Sequence, residues 1–288
     1  MEDTLALDIR LHVRDIDREG GGAETGSGAD EQVVIASVLK VLLVLEFARQ
    51  VAAGQLDPGE RVVARAPDRL GGWGLADCAD DVELSLRDLA YFSLSMSDNT
   101  ASDLLLRRVG PDLLPVLAAE LGMARTRVRG GPREVLESMF ADVGVRDAAE
   151  FAAAYPALPD ARKRALRVFD PEHTTSSTPR DITRLMALLW RDEAGPPEAC
   201  ALVRRLMGRQ MAWTRLRAAF PPEVGVTGKT GTLPGLHMEA GVVAYPDGGR
   251  YAVAVFGATR EWDARSLDVD LALGRAAREA VERVRDLR

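Results

Sequence analysis

Lysine and asparagine are nearly missing from this chain. Of its 37 basic residues among 288, only Lys40, Lys163 and Lys229 are lysines; the other 34 are arginines. Asn99 is the only asparagine. Where either type survives, drift in composition explains it poorly. Chemistry that arginine, aspartate or serine cannot supply explains it better. Cysteine is confined to Cys78 and Cys200, and histidine to His12, His173 and His237. Two cysteines make no disulfide framework, and the scattered histidines make no zinc spacing. Free thiols are expected, with a Cys78–Cys200 disulfide as the lesser alternative, and neither metal nor cofactor is expected. Long apolar runs are also absent. The longest, Val41 to Leu45, is far too short to span a bilayer, and no apolar leader core follows Met1. The chain as it stands reads as cytoplasmic, or as secreted if a leader has been removed. The one short basic run, Arg162-Lys163-Arg164, reads as a solvated helix face. A net charge of −7 and a pI near 5.2 argue against nucleic acid as the main partner.

What is present is ordinary globular composition, 47% hydrophobic and 28% charged. The length fits two domains or one large one. Residues 6–16 alternate apolar and polar, which predicts a half-buried strand. The Gly-rich segment Glu19–Gly28 follows, and Val33-Val34-Ile35 is expected to return as the second strand of a hairpin. No G-K-[ST] opens a helix after that glycine run, so it is not a phosphate loop. From Ser37 the chain is apolar almost all round, the mark of a buried helix, which Gly54 and Pro58 end. Residues 60–195 read as mostly helical. After Pro221 come three strand-like runs, the last two joined by a Pro-Asp-Gly-Gly turn, and an amphipathic helix runs from Asp268 to Arg288. The expected fold is α/β (α+β): an antiparallel sheet built from both termini and flanked by helices, with an all-α domain inserted. The sheet domain is placed at 1–44 and 195–288, the helical domain at 45–194, and the site at their junction.

Three short motifs carry chemistry. Ser37 and Lys40 are spaced S-x-x-K at the start of the buried helix, one turn apart on one face. Ser37 alone reads most simply as a helix cap. A lysine within VLKVLLVL has few routes to water. Burial lowers its pKa, so it can take the serine proton and activate a nucleophile; arginine stays protonated and could not. Ser97-Asp98-Asn99 sits between two helical runs. Asn99 would cap the second, but an amide also offers donor and acceptor together for gripping a substrate amide, and Ser97 could relay a proton. Lys229-Thr230-Gly231-Thr232 follows a strand. Gly231 would admit a substrate close to the backbone, and Lys229 and Thr230 would supply charge and a hydroxyl. One S-x-x-K is expected by chance in a chain of roughly this length. The three motifs in this order, holding two of three lysines and the only asparagine, are poorly explained by coincidence.

S-x-x-K, S-D-N and K-T-G resemble the set of the class A β-lactamase family of penicillin-recognising serine hydrolases. The likeness runs from about residue 7 to the C-terminus. It is closest in ELSLRDLAYFSLSMSDNTASDLLLRRVG, HTTSSTPRDITRLM and GKTGTLPG. The resemblance implies that Ser37 is the acylated nucleophile and Lys40 its base. Ser97 and Lys229 would move protons and hold positive potential, Asn99, Thr230 and Thr232 would bind substrate, and the N–H groups of Ser37 and Thr232 would form an oxyanion hole. Trp73 falls near the family's aromatic at the cleft mouth; packing within its own loop is the other reading.

The chain departs from the family in three places. The family's acyl-enzyme is freed by a Glu with a nearby Asn, but Asn99 is the only asparagine. No Glu falls in register in RTRVRGGPREVLESMF; Glu134 is nearest, with Glu137 and Glu172 as outsiders. The interval Gly122–Thr174 is long, and DAAEFAAAYPALPDARKRALRVF is expected to add a helix over the cleft. The strand after K-T-G carries His237 and Glu239 where the family commonly has an arginine, and acid there would disfavour an anionic lactam. The expectation is therefore a monomeric serine hydrolase of β-lactamase fold, with weak or altered β-lactam turnover. It would take a small-molecule lactam, amide, peptide or ester and have no nucleic-acid or membrane partner. An acylated sensor without efficient turnover is the alternative, alongside a peptidase, esterase or transacylase.

Overall fold

The computed structural model describes residues 7–18, 22–259 and 266–287. Ala6 at the start of the first strand run, residues 19–21 of the glycine-rich segment and the final Arg288 lie outside the described residues.

Alternation in Leu7–Asp15 produces β1. Glu24–Ser27 (β2) pairs with it antiparallel, with Leu11 opposite Ser27. Val33–Val34 (β3) does not join this sheet; it pairs with Ser176–Ser177, which become β6 below. The hairpin expected between residues 6–16 and 33–35 is thus closed earlier, by residues 24–27. The four-residue strand ETGS has no apolar alternation to announce it. Ala36–Leu39 forms a single 3₁₀ turn, and the buried helix α1 is Lys40–Ala52. Nine of its thirteen residues are buried, as a sequence apolar all round requires.

The middle of the chain contains Arg61–Ala64 (β4) and Val82–Ser85 (β5), an antiparallel pair inside a stretch expected to be mostly helical. Both are too short to show a period. The helices there are Leu86–Ser95 (α2), Asn99–Val109 (α3), Leu113–Glu120 (α4), Pro132–Val143 (α5), Ala148–Ala154 (α6) and Asp160–Arg164 (α7). Ser85 caps α2 by accepting from the Asp88 N–H, and Thr178 caps α8 (Pro179–Trp190) by accepting from Asp181. Pro197–Met207 (α9) and Leu216–Ala219 (α10) complete this part.

Gly225–Leu233 (β7), Leu236–Ala244 (β8) and Arg250–Thr259 (β9) return to the first sheet, and Leu267–Asp286 (α11) closes the chain. The sheet order is β2-β1-β9-β8-β7, antiparallel at each junction. β9 divides its side chains by parity. Tyr251, Val253 and Val255 pack toward α10 and α11, while Ala252, Ala254 and Phe256 join the core with α1, α8 and α9. A strand covered on both faces reads as a continuous apolar run, and YAVAVF is one. The α5–α7 segment builds a third, small core of Met139, Leu166 and Val168, flanked by Val135, Leu136 and Phe151 and reaching Leu233 of β7.

The β7–β8 pairing fixes the height of Lys229 in the sheet and depends on a close backbone approach. A Cβ on Gly241 would lie 2.1 Å from the Thr227 carbonyl oxygen and 2.7 Å from Gly228 Cα. Gly241→Ala should therefore destabilise the fold by roughly 1–3 kcal/mol in urea unfolding, the usual cost of overpacking. An unchanged midpoint would contradict this register.

Candidate active site

Ser37 does not cap α1. It sits in the 3₁₀ turn, with no side-chain cap bond at either Ile35 or Leu39. The turn is entered through Ala36 at φ +41°, a left-handed conformation that non-glycine residues adopt at a cost of about 1–3 kcal/mol. Ile35 anchors it by donating to the Thr175 carbonyl at 3.3 Å. β7 passes so close that a Cβ on Gly231 would lie 3.0 Å from the Ile35 carbonyl oxygen. Ser37 is thereby held half-exposed at the sheet edge.

Lys40, one turn later, is buried. Its Nζ donates to the Ser97 carbonyl at 2.6 Å and to Asn99 Oδ1 at 2.8 Å, and Ser97 Oγ lies 3.3 Å away. Ser97 is itself at φ +64°, which turns both its carbonyl and its hydroxyl toward the lysine. Asp98, not Asn99, caps α3 by accepting from the Ala101 N–H at 2.8 Å. That leaves the Asn99 amide free for Lys40. The second Asp98 oxygen accepts from Leu75 N–H at 2.8 Å and pins the loop that carries Trp73. Gly74 in that loop, at φ +97°, leaves room for this: a Cβ there would sit 2.2 Å from the Asp98 oxygen. Trp73 is 58% exposed at the rim of the cleft.

Burial pulls the Lys40 ammonium down to about 7, with the Asp98 charge opposing. Burial also lowers Lys229 well below the usual lysine range, and the neighbouring charges of Lys40 and Arg215 add to this against Glu239. Lys229 Nζ donates to the Thr230 carbonyl at 2.8 Å. Thr230 N–H points away from β8, donating to Gln210 Oε1 at 2.6 Å. Thr232 has the same parity on this edge strand, so its N–H also faces outward, toward the cleft.

Arg215 was not singled out from the sequence. Its guanidinium is buried behind β7, donating to Thr232 Oγ1 at 2.8 Å, to the Gly231 carbonyl at 2.8 Å and to Asp270 at 2.6 Å. His237 meets the same Asp270 oxygen at 2.8 Å. Burial would raise the Asp270 carboxyl, but His237, Arg215 and Thr214 hold it down at about 2. The cleft's arginine therefore comes from before β7 and not from β8. Glu239 does not face the cleft, contrary to the expectation that it would repel an anion. It is fully buried, with its oxygens accepting from Gln210 Nε2 at 2.8 Å and Leu216 N–H at 2.9 Å, and burial raises its pKa.

Two cavities meet at Ser37, and Asn99 and Thr232 also line both. The larger, about 510 Å³, is walled by Trp73, Ser97, Thr230 and Arg215 among others. The smaller, about 130 Å³, is lined by Lys40, Leu106, Val135, Leu136, Met139 and Val168 among others. No carboxylate lines the smaller one among the described residues. Glu134 turns back on its own helix and accepts from the Gly131 N–H at 2.7 Å; Glu137 and Glu172 are also exposed. Both cysteines are free thiols, and among the described residues no helix is long and apolar enough to cross a membrane.

The fold, with Ser37 and the buried Lys40 one turn apart beside its edge strand, is that of the penicillin-recognising serine hydrolases. A profile of the beta-lactamase enzyme family matches residues 4–284, and the chain belongs to that family. A relative from Streptomyces cacaoi, described as beta-lactamase regulatory protein BlaB, is 31% identical over 250 residues, covering 81% of this chain and 80% of that one. The structure of a beta-lactamase from Sphaerobacter thermophilus DSM 20745 superposes with a TM-score of 0.76 at 26% identity, covering 98% of this chain and 93% of that one. PBP-A, solved as an L158E mutant in an acyl-enzyme complex with penicillin G, superposes at 0.72 with 22% identity, covering 96% and 91%.

With only three lysines, ¹³C-lysine labelling gives a spectrum simple enough to titrate. The Lys40 Cε signal, assigned by its loss in Lys40→Met, should move with a midpoint near 7. A midpoint in the ordinary lysine range would contradict the buried site.

Proposed function

We propose that this protein forms an acyl-enzyme on Ser37 from a lactam, amide or ester, and that it releases the acyl group slowly. The observation that carries the reading is the buried Lys40 amine, which bridges the Ser97 carbonyl and Asn99 Oδ1 beside Ser37. A neutral amine held by two N–H bonds keeps one lone pair; Ser97 Oγ lies 3.3 Å from it, and Ser37 stands one helical turn before it. Lys40 accepts the Ser37 proton as Oγ bonds to the acyl carbon. The carbonyl oxygen, now negative, is received by the N–H groups of Ser37 and Thr232, at ~3–4 kcal/mol for a donor of this kind. Lys40 then returns the proton through Ser97 Oγ to the leaving group as the carbon–leaving-group bond breaks. Thr230 and Thr232 supply hydroxyls on the leaving side, with Arg215 held behind Thr232 by Asp270; Lys229 is a second buried amine that can carry a proton, and Asn99 and Trp73 flank the substrate.

Slow release follows from what surrounds Ser37. Glu134 is committed to capping α5, the smaller cavity offers no carboxylate to activate water, and Asp270, which lines the larger one, is held by Arg215, His237 and Thr214. The described role of the Streptomyces relative as a regulatory protein supports a sensing use of such an adduct. Completion of the reaction by Lys40 or by an incoming amine is the alternative, a hydrolase or transacylase.

Intact mass after mixing with penicillin G or a reporter ester separates these readings. The expected result is an adduct on Ser37 that persists for hours. An adduct that clears within minutes favours the hydrolase. No adduct, and no difference from Ser37→Ala, would sink both. Acylation should fall about tenfold per pH unit below 7, because the neutral amine is the base and protonation removes it. Lys40→Ala should lose at least ~10²-fold. Glu134→Gln should leave the adduct's lifetime unchanged; a longer lifetime would identify Glu134 as a deacylation base.

A further inference from the structure

The smaller cavity has no role in the steps above, yet its mouth is the reacting serine. We infer that it receives the acyl group of the donor, and that the donors this protein takes carry there an alkyl chain of about six carbons or a single phenyl ring. The inference rests on Ser37 being the acylated residue and deepens that reading.

Direction comes from Ser97. Ser97, the proton donor to the leaving group, lines the larger cavity and not the smaller one. The leaving group therefore departs on the larger side, and the remainder of the acyl group lies across the carbonyl carbon, facing the apolar mouth. Size comes from the volume of about 130 Å³; an aliphatic cavity of ~150 Å³ stays dry and holds one benzene. Chemistry comes from the wall. Leu106, Leu114, Val135, Leu136, Met139 and Val168 make much of the lining, with Lys40, Asn99 and Thr175 among its polar members. An apolar chain entering hides its own surface from water.

One wall of the cavity is α5, which supplies Val135, Leu136 and Met139. α5 lies close on α3 because Gly131 has no side chain; a Cβ there would meet a Leu106 methyl at 2.4 Å. The α6–α7 region then backs α5 through Phe151, Leu166 and Val168.

The test uses 4-nitrophenyl acetate, butanoate, hexanoate, decanoate and phenylacetate. The second-order constant for acylating Ser37 is read from the nitrophenol burst and confirmed by intact mass, with Ser37→Ala as background. The constant should rise about fourfold per methylene up to hexanoate, be similar for phenylacetate, and fall for decanoate. Val135→Phe, which fills the cavity, should lower the hexanoate-to-acetate ratio by tenfold or more. Leu136→Ala, which enlarges it, should move the optimum to longer chains; thermal melts establish that each variant is folded, and the chain-length profile and Leu136→Ala decide if Val135→Phe is not. Ser37 acylated with no chain-length preference, or with ratios unmoved in folded variants, overturns the inference and leaves the proposed function standing. No Ser37 adduct with any of the esters overturns both.

Discussion

The site is organised around one buried amine. Lys40 has no route to water, and an unpaired ammonium in such a place is costly. The fold answers by bringing a carbonyl and an amide oxygen to it from the turn between α2 and α3. That requirement links three parts of the chain: the 3₁₀ turn and α1, the strained Ser97 turn, and the edge strand β7, whose Lys229 lies close enough to Lys40 for the Lys40 charge to help lower it. Burial lowers both amines, Lys40 to about 7 and Lys229 well below the ordinary lysine range.

Around this centre the two walls of the cleft differ in kind. One is polar, made of Ser97, Thr230 and Thr232, with Arg215 locked behind them by Asp270. The other is apolar and belongs to α3, α4 and α5. A reaction that splits a substrate into a polar leaving group and an acyl remainder meets both walls at once. The placement of Glu134 belongs to the same division. As the third residue of α5 it satisfies an N–H at the helix start, and that duty turns its carboxylate away from Ser37.

Much of this was legible because the composition is skewed. In a chain that spends 34 arginines and three lysines, Lys40 and Lys229 stood out, as did Asn99. The structure brings Lys40 and Asn99 into contact and places Lys229 beside them. The same skew hid Arg215, one arginine among many, whose importance is visible only from its bonds to Thr232 and Asp270. The family resemblance, which puts an arginine on the strand after K-T-G, misdirected the reading of Glu239: register sets it opposite Thr230, but Gln210 and a backbone N–H hold it behind the sheet. The capping roles went the other way: Asp98 caps α3, and Ser37 caps nothing.

Local pattern determined the elements with a strong period or an uninterrupted apolar run. These are β1, α1, α8, β9 and α11, together with the order of the three motifs. Elements of four residues or fewer, β2 to β6, carry too little period to be read. The partner of β1 therefore had to come from the fold. The cavity beside Ser37 lies further still from the sequence. Its wall is assembled from residues spread between Ala36 and Leu233, each of which alone is an ordinary core side chain. Motif spacing determined which residues could react. Only tertiary packing decided what space they react in, because a void is a property of the gap between elements and not of any one of them.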